Sequence, residues 1–189
     1  GPTLFPPGVA VTAKAFGGSA AVQVSGLSSN RVRIDVDDVD LSKGNLKAFS
    51  GIDLAGTESN ALELKPEVVA QYVDLFDKAR KAGLKTTVHT GETKGTGAEG
   101  VIAVVEKLKP NRIGHGIRAA QDEKVMGLLK ERGVTLEICP TSNLATRAVS
   151  GTAEMREVLQ KFWRAGVRFT INTDGPYLLD TDMRREVEM

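Results

Sequence analysis

From Phe49 onward, short apolar runs alternate with longer segments in which apolar residues recur every three or four positions. The short runs have the length expected of buried strands, and the periodic segments have the pattern of amphipathic helices. Strands are predicted near residues 50–55, 86–90, 112–115, 134–139 and 168–173. Strands that alternate with helices pair in parallel through right-handed crossovers. The pattern therefore predicts an α/β sheet or more than half of a (β/α) barrel.

A helix is predicted in each interval between these strands, and proline or glycine residues mark the ends of several of them. Pro66 can open the first helix, because proline is tolerated in a first turn, and Gly83 can end it. The apolar faces of the later helices are predicted at residues 101–108, 125–129 and 155–162. Gly133 and Gly166 are expected to end the last two of these helices.

The first 48 residues have a different texture, rich in Gly, Ser and Val. Three alternating stretches, near residues 9–16, 21–25 and 32–36, predict short strands. Four aspartates between Asp35 and Asp40 lack the central glycine and closing glutamate of a calcium-binding loop, so they are interpreted as a solvated acidic turn. We therefore divide the chain into a β-rich N-terminal segment, residues 1–48, and a (β/α) portion, residues 49–189.

Composition narrows the class of protein. The chain has 189 residues, of which 41% are hydrophobic, and a net charge of +1, whereas a complete (β/α)8 barrel usually needs about 250 residues. The balanced charge favours neither a nucleic acid nor a membrane surface as a partner. No apolar run approaches the roughly 20 residues of a membrane span, and a cytoplasmic location is expected. The single cysteine, Cys139, excludes an intrachain disulfide. It lies before Pro140 on an apolar strand with no cationic neighbour, so we set it aside as a nucleophile.

Chemically active side chains gather where the predicted strands end. Both histidines of the chain do so, His89 in Val-His-Thr-Gly-Glu and His115 in Gly-His-Gly. Glu92 follows the same strand as His89, Asp174 follows the last strand, and Gly56 follows the first. Each residue alone is typical of a rim or a turn. In a (β/α) barrel, however, the carboxyl ends of the strands form the catalytic face, so their joint placement indicates a functional site.

Five motifs carry this pattern. They are Ile-Asp-Leu-Ala-Gly at 52–56, His-Thr-Gly-Glu at 89–92, Arg-Ile-Gly-His-Gly at 112–116, Glu-Ile-Cys-Pro-Thr-Ser-Asn at 137–143 and Asn-Thr-Asp at 172–174. In this order they resemble the signature strands of the adenosine deaminases, a family of the amidohydrolase superfamily. The resemblance covers about residues 49–189 and implies strands four to eight of a partial TIM-type (β/α) barrel. The N-terminal segment has no such resemblance and stays unassigned.

The resemblance also implies a chemistry. It implies a zinc-dependent aminohydrolase in which His89 and Asp174 are metal ligands. Glu92 would protonate the ring nitrogen beside the attacked carbon, and His115 would orient the attacking water. Asp174 would also accept a proton from that water, and the backbone amide of Gly56 would bind another ring nitrogen. The implied substrate is a small molecule, adenosine or a related 6-aminopurine nucleoside, which loses ammonia when zinc-activated water attacks C6.

One departure from the family concerns specificity. Typical adenosine deaminases have a second aspartate directly after the metal-binding one, and this chain has Gly175 there. A charge-assisted hydrogen bond to the purine, of about 1.5–3 kcal/mol, is thereby absent. A modified adenosine, such as 6-aminodeoxyfutalosine, is therefore an alternative substrate.

A second departure concerns the metal. The family has a His-x-His pair on the first barrel strand, and this chain has no third histidine. Because catalytic zinc normally takes three protein ligands, we expect further chain segments to complete the barrel and the metal site. The isolated chain is expected to retain little zinc and to release no ammonia from adenosine. Two alternatives stay open: a truncated or non-catalytic barrel module, and another amidohydrolase that acts on a cyclic amide or an ester.

Overall fold

The structure is a computed structural model that describes residues 10–13, 20–24, 32–35, 51–55 and 66–189. Three strands of the N-terminal segment form an antiparallel sheet in the order β1-β2-β3. Their bounds are β1 Ala10–Ala13, β2 Ala20–Val24 and β3 Val32–Asp35. The three predicted strands are thus confirmed. The acidic residues after Asp35 and the predicted substrate contact Gly56 lie outside the described residues, and the division of the chain near residue 48 stays a prediction.

The rest of the chain builds a five-stranded parallel sheet. Its strands are β4 Gly51–Leu54, β5 Lys85–Thr90, β6 Arg112–His115, β7 Thr135–Ile138 and β8 Arg168–Ile171. Neighbours in the sheet are neighbours in the sequence, in the order β4-β5-β6-β7-β8. All four pairings are parallel, as strand-helix alternation predicted. This strand order is that of a continuous portion of a (β/α) barrel.

Seven α-helices are described in this part of the chain. They are α1 Pro66–Lys81, α2 Gly97–Lys107, α3 Glu123–Arg132, α4 Pro140–Ala145, α5 Thr152–Ala165, α6 Pro176–Leu179 and α7 Met183–Glu188. A 3₁₀ helix, Ile117–Gln121, precedes α3. The four predicted helices correspond to α1, α2, α3 and α5. The three short helices were not predicted, because four to six residues carry too little periodicity to be recognised.

Helices α3 and α5 end as their glycines predicted. Gly133 and Gly166 have φ angles of 65° and 73°, a left-handed conformation that side chains disfavour. Each donates its backbone N–H to carbonyls of the last helical turn. The chain therefore turns sharply into β7 and β8 after these two helices.

The four longer helices, α1, α2, α3 and α5, cover one face of the parallel sheet. Ile52 and Val88 are buried against Phe76 of α1. Farther along the sheet, Ile113 and Leu136 are completely buried in a larger apolar cluster. Among the described residues, no helix combines the length and apolar character needed to cross a bilayer.

Candidate active site

The carboxyl ends of β5 and β6 bring three of the predicted residues together. The rings of His89 and His115 lie edge to face, with centroids 5.5 Å apart. His115 Nε2 lies 3.5 Å from Glu92 Oε2. His115 is buried and Glu92 is largely so, with 16% of its side chain exposed. Histidine and carboxylate side chains therefore share one small polar region at this edge of the sheet.

Backbone geometry explains how His115 reaches this region. Strand alternation would direct His115 to the same face as Ile113, toward the apolar cluster. His115 instead has a φ of 60°, a left-handed value that breaks the alternation. Asp174 also has a left-handed φ, 56°. Such conformations cost about 1–3 kcal/mol for residues other than glycine and concentrate at functional sites.

Gly114 supplies the space for the His89 ring. These two residues are register partners in β5 and β6. A Cβ atom added to Gly114 would lie 2.9 Å from two ring atoms of His89. Any side chain at position 114 would therefore force the ring to move.

Asp53 of β4 holds the other side of His89. Its Oδ1 lies 3.1 Å from His89 Nδ1, and both side chains are about one-fifth exposed. A carboxylate at one ring nitrogen of a histidine favours the proton there and leaves the second nitrogen to bind a metal. The contact thus directs the lone pair of Nε2 away from Asp53, as a metal ligand requires.

Asp174 is held by helix α4. Ser142 Oγ donates a hydrogen bond of 2.7 Å to Asp174 Oδ2. The next residue of that helix, Asn143, lies 3.0 Å from His115 Nδ1 through its Nδ2 atom. Two adjacent side chains of α4 therefore connect Asp174, after β8, with His115, at the end of β6.

Glu92 is held from the same direction. Its Oε1 accepts a hydrogen bond of 2.8 Å from Thr146 Oγ1 and a longer one, 3.4 Å, from Asn143 Nδ2. The loop that carries Glu92 is also fixed by its backbone. The buried guanidinium of Arg118 donates from Nε to the Glu92 carbonyl at 3.3 Å and from Nη2 to the Ala148 carbonyl. Two segments that follow β6 and β7 thereby set the position of Glu92.

The same guanidinium acts on a carboxylate at the start of α5. Hydrogen bonds from the backbone and side chain of Ser150 lower the pKa of Glu154, and the charges of Arg118 and Lys94 lower it further. Glu154 thus stays ionised near Arg118 over the neutral pH range. The two Ser150 hydrogen bonds, both 2.7 Å, connect the segment between α4 and α5 to the first turn of α5.

The donor set of the described residues can be compared with the needs of a metal ion. Within them, no group of three or more His, Cys, Asp or Glu side chains is arranged to hold a metal ion. His89 and Asp174 are nevertheless a nitrogen and an oxygen donor of the kinds that zinc accepts. The Asp53 contact to His89 is also of the kind that accompanies zinc-bound histidines. In donor chemistry, these two residues therefore fit zinc as two of its ligands, and a zinc site would need at least one more.

Several residues that shape the site had no predicted role. Asp53, Ser142 and Asn143 lie within motifs that the sequence analysis singled out, but without a role of their own. Thr146 and Arg118 lie outside those motifs. Because contacts between residues 26–54 positions apart decide these roles, no local signal could have identified them.

The fold and the site together define a (β/α)-barrel protein with histidine and carboxylate side chains at the carboxyl edge of its sheet. A family model described as adenosine deaminase matches residues 38–189. The chain therefore belongs to the adenosine deaminase family.

Two relatives show how much of such proteins the chain covers. It is 46% identical over 116 residues to an aminodeoxyfutalosine deaminase of Streptomyces avermitilis, covering 61% of this chain and 31% of the relative. It is 38% identical over 148 residues to an adenine deaminase of Rhizobium rhizogenes, covering 78% of this chain and 43% of the relative. The chain thus spans less than half the length of either relative.

Two solved structures are similar in fold. An adenine deaminase of Arthrobacter aurescens superimposes with a TM-score of 0.62 and 29% identity, over 74% of this chain and 39% of that one. An amidohydrolase of Burkholderia ambifaria with bound Zn superimposes with a TM-score of 0.56 and 25% identity, over 70% of this chain and 35% of that one. The predicted fold class, a partial (β/α) barrel, is confirmed.

Proposed function

We propose that the complete protein catalyses the hydrolytic deamination of a 6-aminopurine compound, with release of ammonia. Here, the complete protein means this chain together with segments that close the barrel. The observation that carries the proposal is the joint placement of Glu92, His115 and Asp174, which three strands and helix α4 bring to one edge of the sheet. The family membership and the names of the relatives support the same reaction.

Each of the three residues has a chemical task that suits its surroundings. Deamination at a purine ring needs a proton on the ring nitrogen beside the attacked carbon, since the addition breaks aromaticity. Glu92 gives that proton, and its carboxylate is left behind, accepting hydrogen bonds from Thr146 and Asn143. Asp174 accepts a proton from the attacking water. His115 orients this water by a hydrogen bond from its ring.

His89 and Asp174 would hold zinc, and the remaining ligands would come from the segments that close the barrel. When bound, zinc would lower the pKa of a water molecule toward neutrality and so make a nucleophile available. Asp53 would keep His89 in the tautomer that leaves Nε2 for the metal. Gly56 would present its backbone amide to a second ring nitrogen of the substrate.

The substitution Glu92→Gln tests the proposal. It removes the acid but no metal ligand, so we expect turnover of a 6-aminopurine nucleoside to fall by about 10²-fold or more with zinc content unchanged. Ammonia release and zinc per chain are measured on the complete protein. Zinc loss in Glu92→Gln, or undiminished deamination, would contradict the role of Glu92. If the unsubstituted protein binds zinc and deaminates no aminopurine, the non-catalytic alternative gains.

Gly175 favours one particular substrate as a second candidate, a modified adenosine such as aminodeoxyfutalosine. A Cβ atom at Gly175 would meet only Leu178 Cβ, at 3.8 Å, and the residue has a φ of −107°. An aspartate would therefore fit at this position. Its absence leaves space beside Asp174 and removes one hydrogen bond to the purine. The relative with 46% identity carries the name aminodeoxyfutalosine deaminase.

The substitution Gly175→Asp tests this second candidate. We expect it to raise kcat/KM for adenosine, relative to the modified nucleoside, by about tenfold or more, since it adds a charge-assisted hydrogen bond. Gly127→Asp, on the exposed side of α3 with open space around it, is the matched control and should leave the ratio unchanged. An unaltered ratio in Gly175→Asp would argue against a specificity role for this position.

A further inference from the structure

We propose that Asn143 is a positioning residue that sets which oxygen of Glu92 carries its proton and which nitrogen of His115 faces the reaction. The inference rests on the proposed deamination for its kinetic consequences only. Its structural content, a tautomer and a proton position, is independent of the substrate.

One buried amide contacts both groups. Asn143 is completely buried, and its Nδ2 lies 3.0 Å from His115 Nδ1 and 3.4 Å from Glu92 Oε1. Asn143 belongs to α4, which starts at Pro140 and follows β7 directly. The amide is anchored by its own backbone, since its N–H donates to the Cys139 carbonyl at 2.9 Å and its carbonyl accepts from Val149 N at 3.2 Å.

The carboxylate of Glu92 decides which end of the amide faces the two groups. An amide can be turned by 180° without changing its shape, so its orientation follows from its partners. Glu92 Oε1 already accepts a hydrogen bond from Thr146 Oγ1 at 2.8 Å, so the opposite orientation would place the amide oxygen 3.4 Å from a second acceptor. The NH₂ group therefore points to Glu92 Oε1 and His115 Nδ1.

Two consequences follow for the proton positions. Because His115 Nδ1 accepts from Asn143, the neutral ring carries its proton on Nε2, and Nε2 is the atom nearer Glu92. His115 therefore donates a hydrogen bond to the attacking water and does not take its proton, which passes to Asp174. Because Glu92 Oε1 accepts from Asn143 and Thr146, the transferable proton is carried by Oε2.

Stability alone gives no reason for an asparagine at this position. Within the described part of the chain, the buried Oδ1 atom of Asn143 has no hydrogen-bond partner. An unsatisfied buried acceptor costs about 1–3 kcal/mol. An apolar residue would avoid this penalty but would lose both contacts of Nδ2, so those contacts account for the residue.

The tautomer of His115 provides a test that does not depend on turnover. The complete protein is labelled with ¹⁵N-histidine and examined by NMR at alkaline pH, where imidazole is ordinarily neutral; the His115 signals are those lost in His115→Gln. We expect an unprotonated Nδ1 and a protonated Nε2. In Asn143→Asp, which has the same shape but no NH₂ group, we expect the proton to move to Nδ1. A protonated Nδ1 in the unsubstituted protein overturns the inference, even if no variant folds.

Kinetics and a matched asparagine complete the test. Asn143→Ala should lower kcat by about tenfold or more and change KM by less than about threefold, because it misplaces catalytic groups without removing a substrate contact. Asn111 lies at the opposite, amino edge of the sheet, where its Oδ1 accepts from Thr86 N at 3.0 Å. Asn111→Ala should lower stability but leave kcat and the His115 tautomer unchanged. If Asn143→Asp has the same His115 tautomer as the unsubstituted protein, the inference is overturned. If the unsubstituted protein lacks deaminase activity, the proposed function fails, while the NMR result still decides the role of Asn143.

Discussion

The two faces of the five-stranded sheet have opposite characters, although they alternate residue by residue along the same strands. The face toward the helices carries Ile113, Leu136 and Ile138, all completely buried in one apolar cluster. The other face carries polar residues, among which Glu137 of β7 and Thr170 of β8 are register partners. The side chain of Arg112 in β6 binds both, since its Nε donates to Glu137 Oε1 at 2.7 Å and its Nη2 donates to Thr170 Oγ1 at 2.9 Å.

This difference shows that the apolar face of the sheet contributes mainly to stability, whereas the polar face carries the candidate chemistry. Burial of aliphatic side chains is favourable and needs no precise partner. A buried charge, in contrast, needs a specific partner, as Glu137 has in Arg112. The polar face lies on the inside of a barrel, and its carboxyl edge carries His89. Substitutions on the two faces should therefore have separable effects, on folding and on the proposed metal site.

The largest effect is expected from the polar face. In the complete protein, His89→Ala removes a proposed zinc ligand, so we expect zinc and deamination to be lost together while the protein stays folded. Zinc per chain after dialysis, ammonia release and circular dichroism are measured on the same sample. Zinc retained at the unsubstituted level would exclude His89 as a ligand.

A core substitution on the apolar face should show the reverse pattern. Leu136 is completely buried, and Leu136→Ala should lower the free energy of unfolding by about 2–5 kcal/mol through lost burial and a cavity. At a temperature where the variant is still folded, its zinc content should equal that of the unsubstituted protein. Chemical denaturation gives the stability change. A loss of zinc without loss of stability would show that the two faces are not independent.

The smallest effect is expected at Gly114, where the His89 ring leaves no room for a side chain. Gly114→Ala places a methyl group against the His89 ring, so we expect about tenfold weaker zinc binding, measured by competition with a chelator. Gly127→Ala in α3 has open space around the new methyl group. This control should leave zinc binding unchanged and stabilise the helix by about 0.5–1 kcal/mol. Equal zinc affinity in both variants would show that the His89 ring tolerates displacement.

Much of the fold was predictable because its signals are local. The five parallel strands and four longer helices follow from apolar periodicity, and Gly133 and Gly166 mark helix ends by their conformational freedom. The short helix α4 was not predicted. Pro140, which directly follows the fourth predicted strand, starts the helix that positions Ser142 and Asn143. A helix of six residues is not stable in isolation, so tertiary contacts stabilise α4.

By itself, the sequence determined the fold class, the family and the strand ends at which His89, Glu92, His115 and Asp174 lie, since each depends on residues close together in the chain. Only the tertiary structure decided how these groups are held. The contact of Asp53 with His89 spans 36 positions, and that of Asn143 with Glu92 spans 51. The left-handed φ of His115 is likewise explained only by the tertiary structure, in which its ring lies beside that of His89. Hydrogen-bond partners are chosen by distance and direction in space, and a linear pattern contains neither.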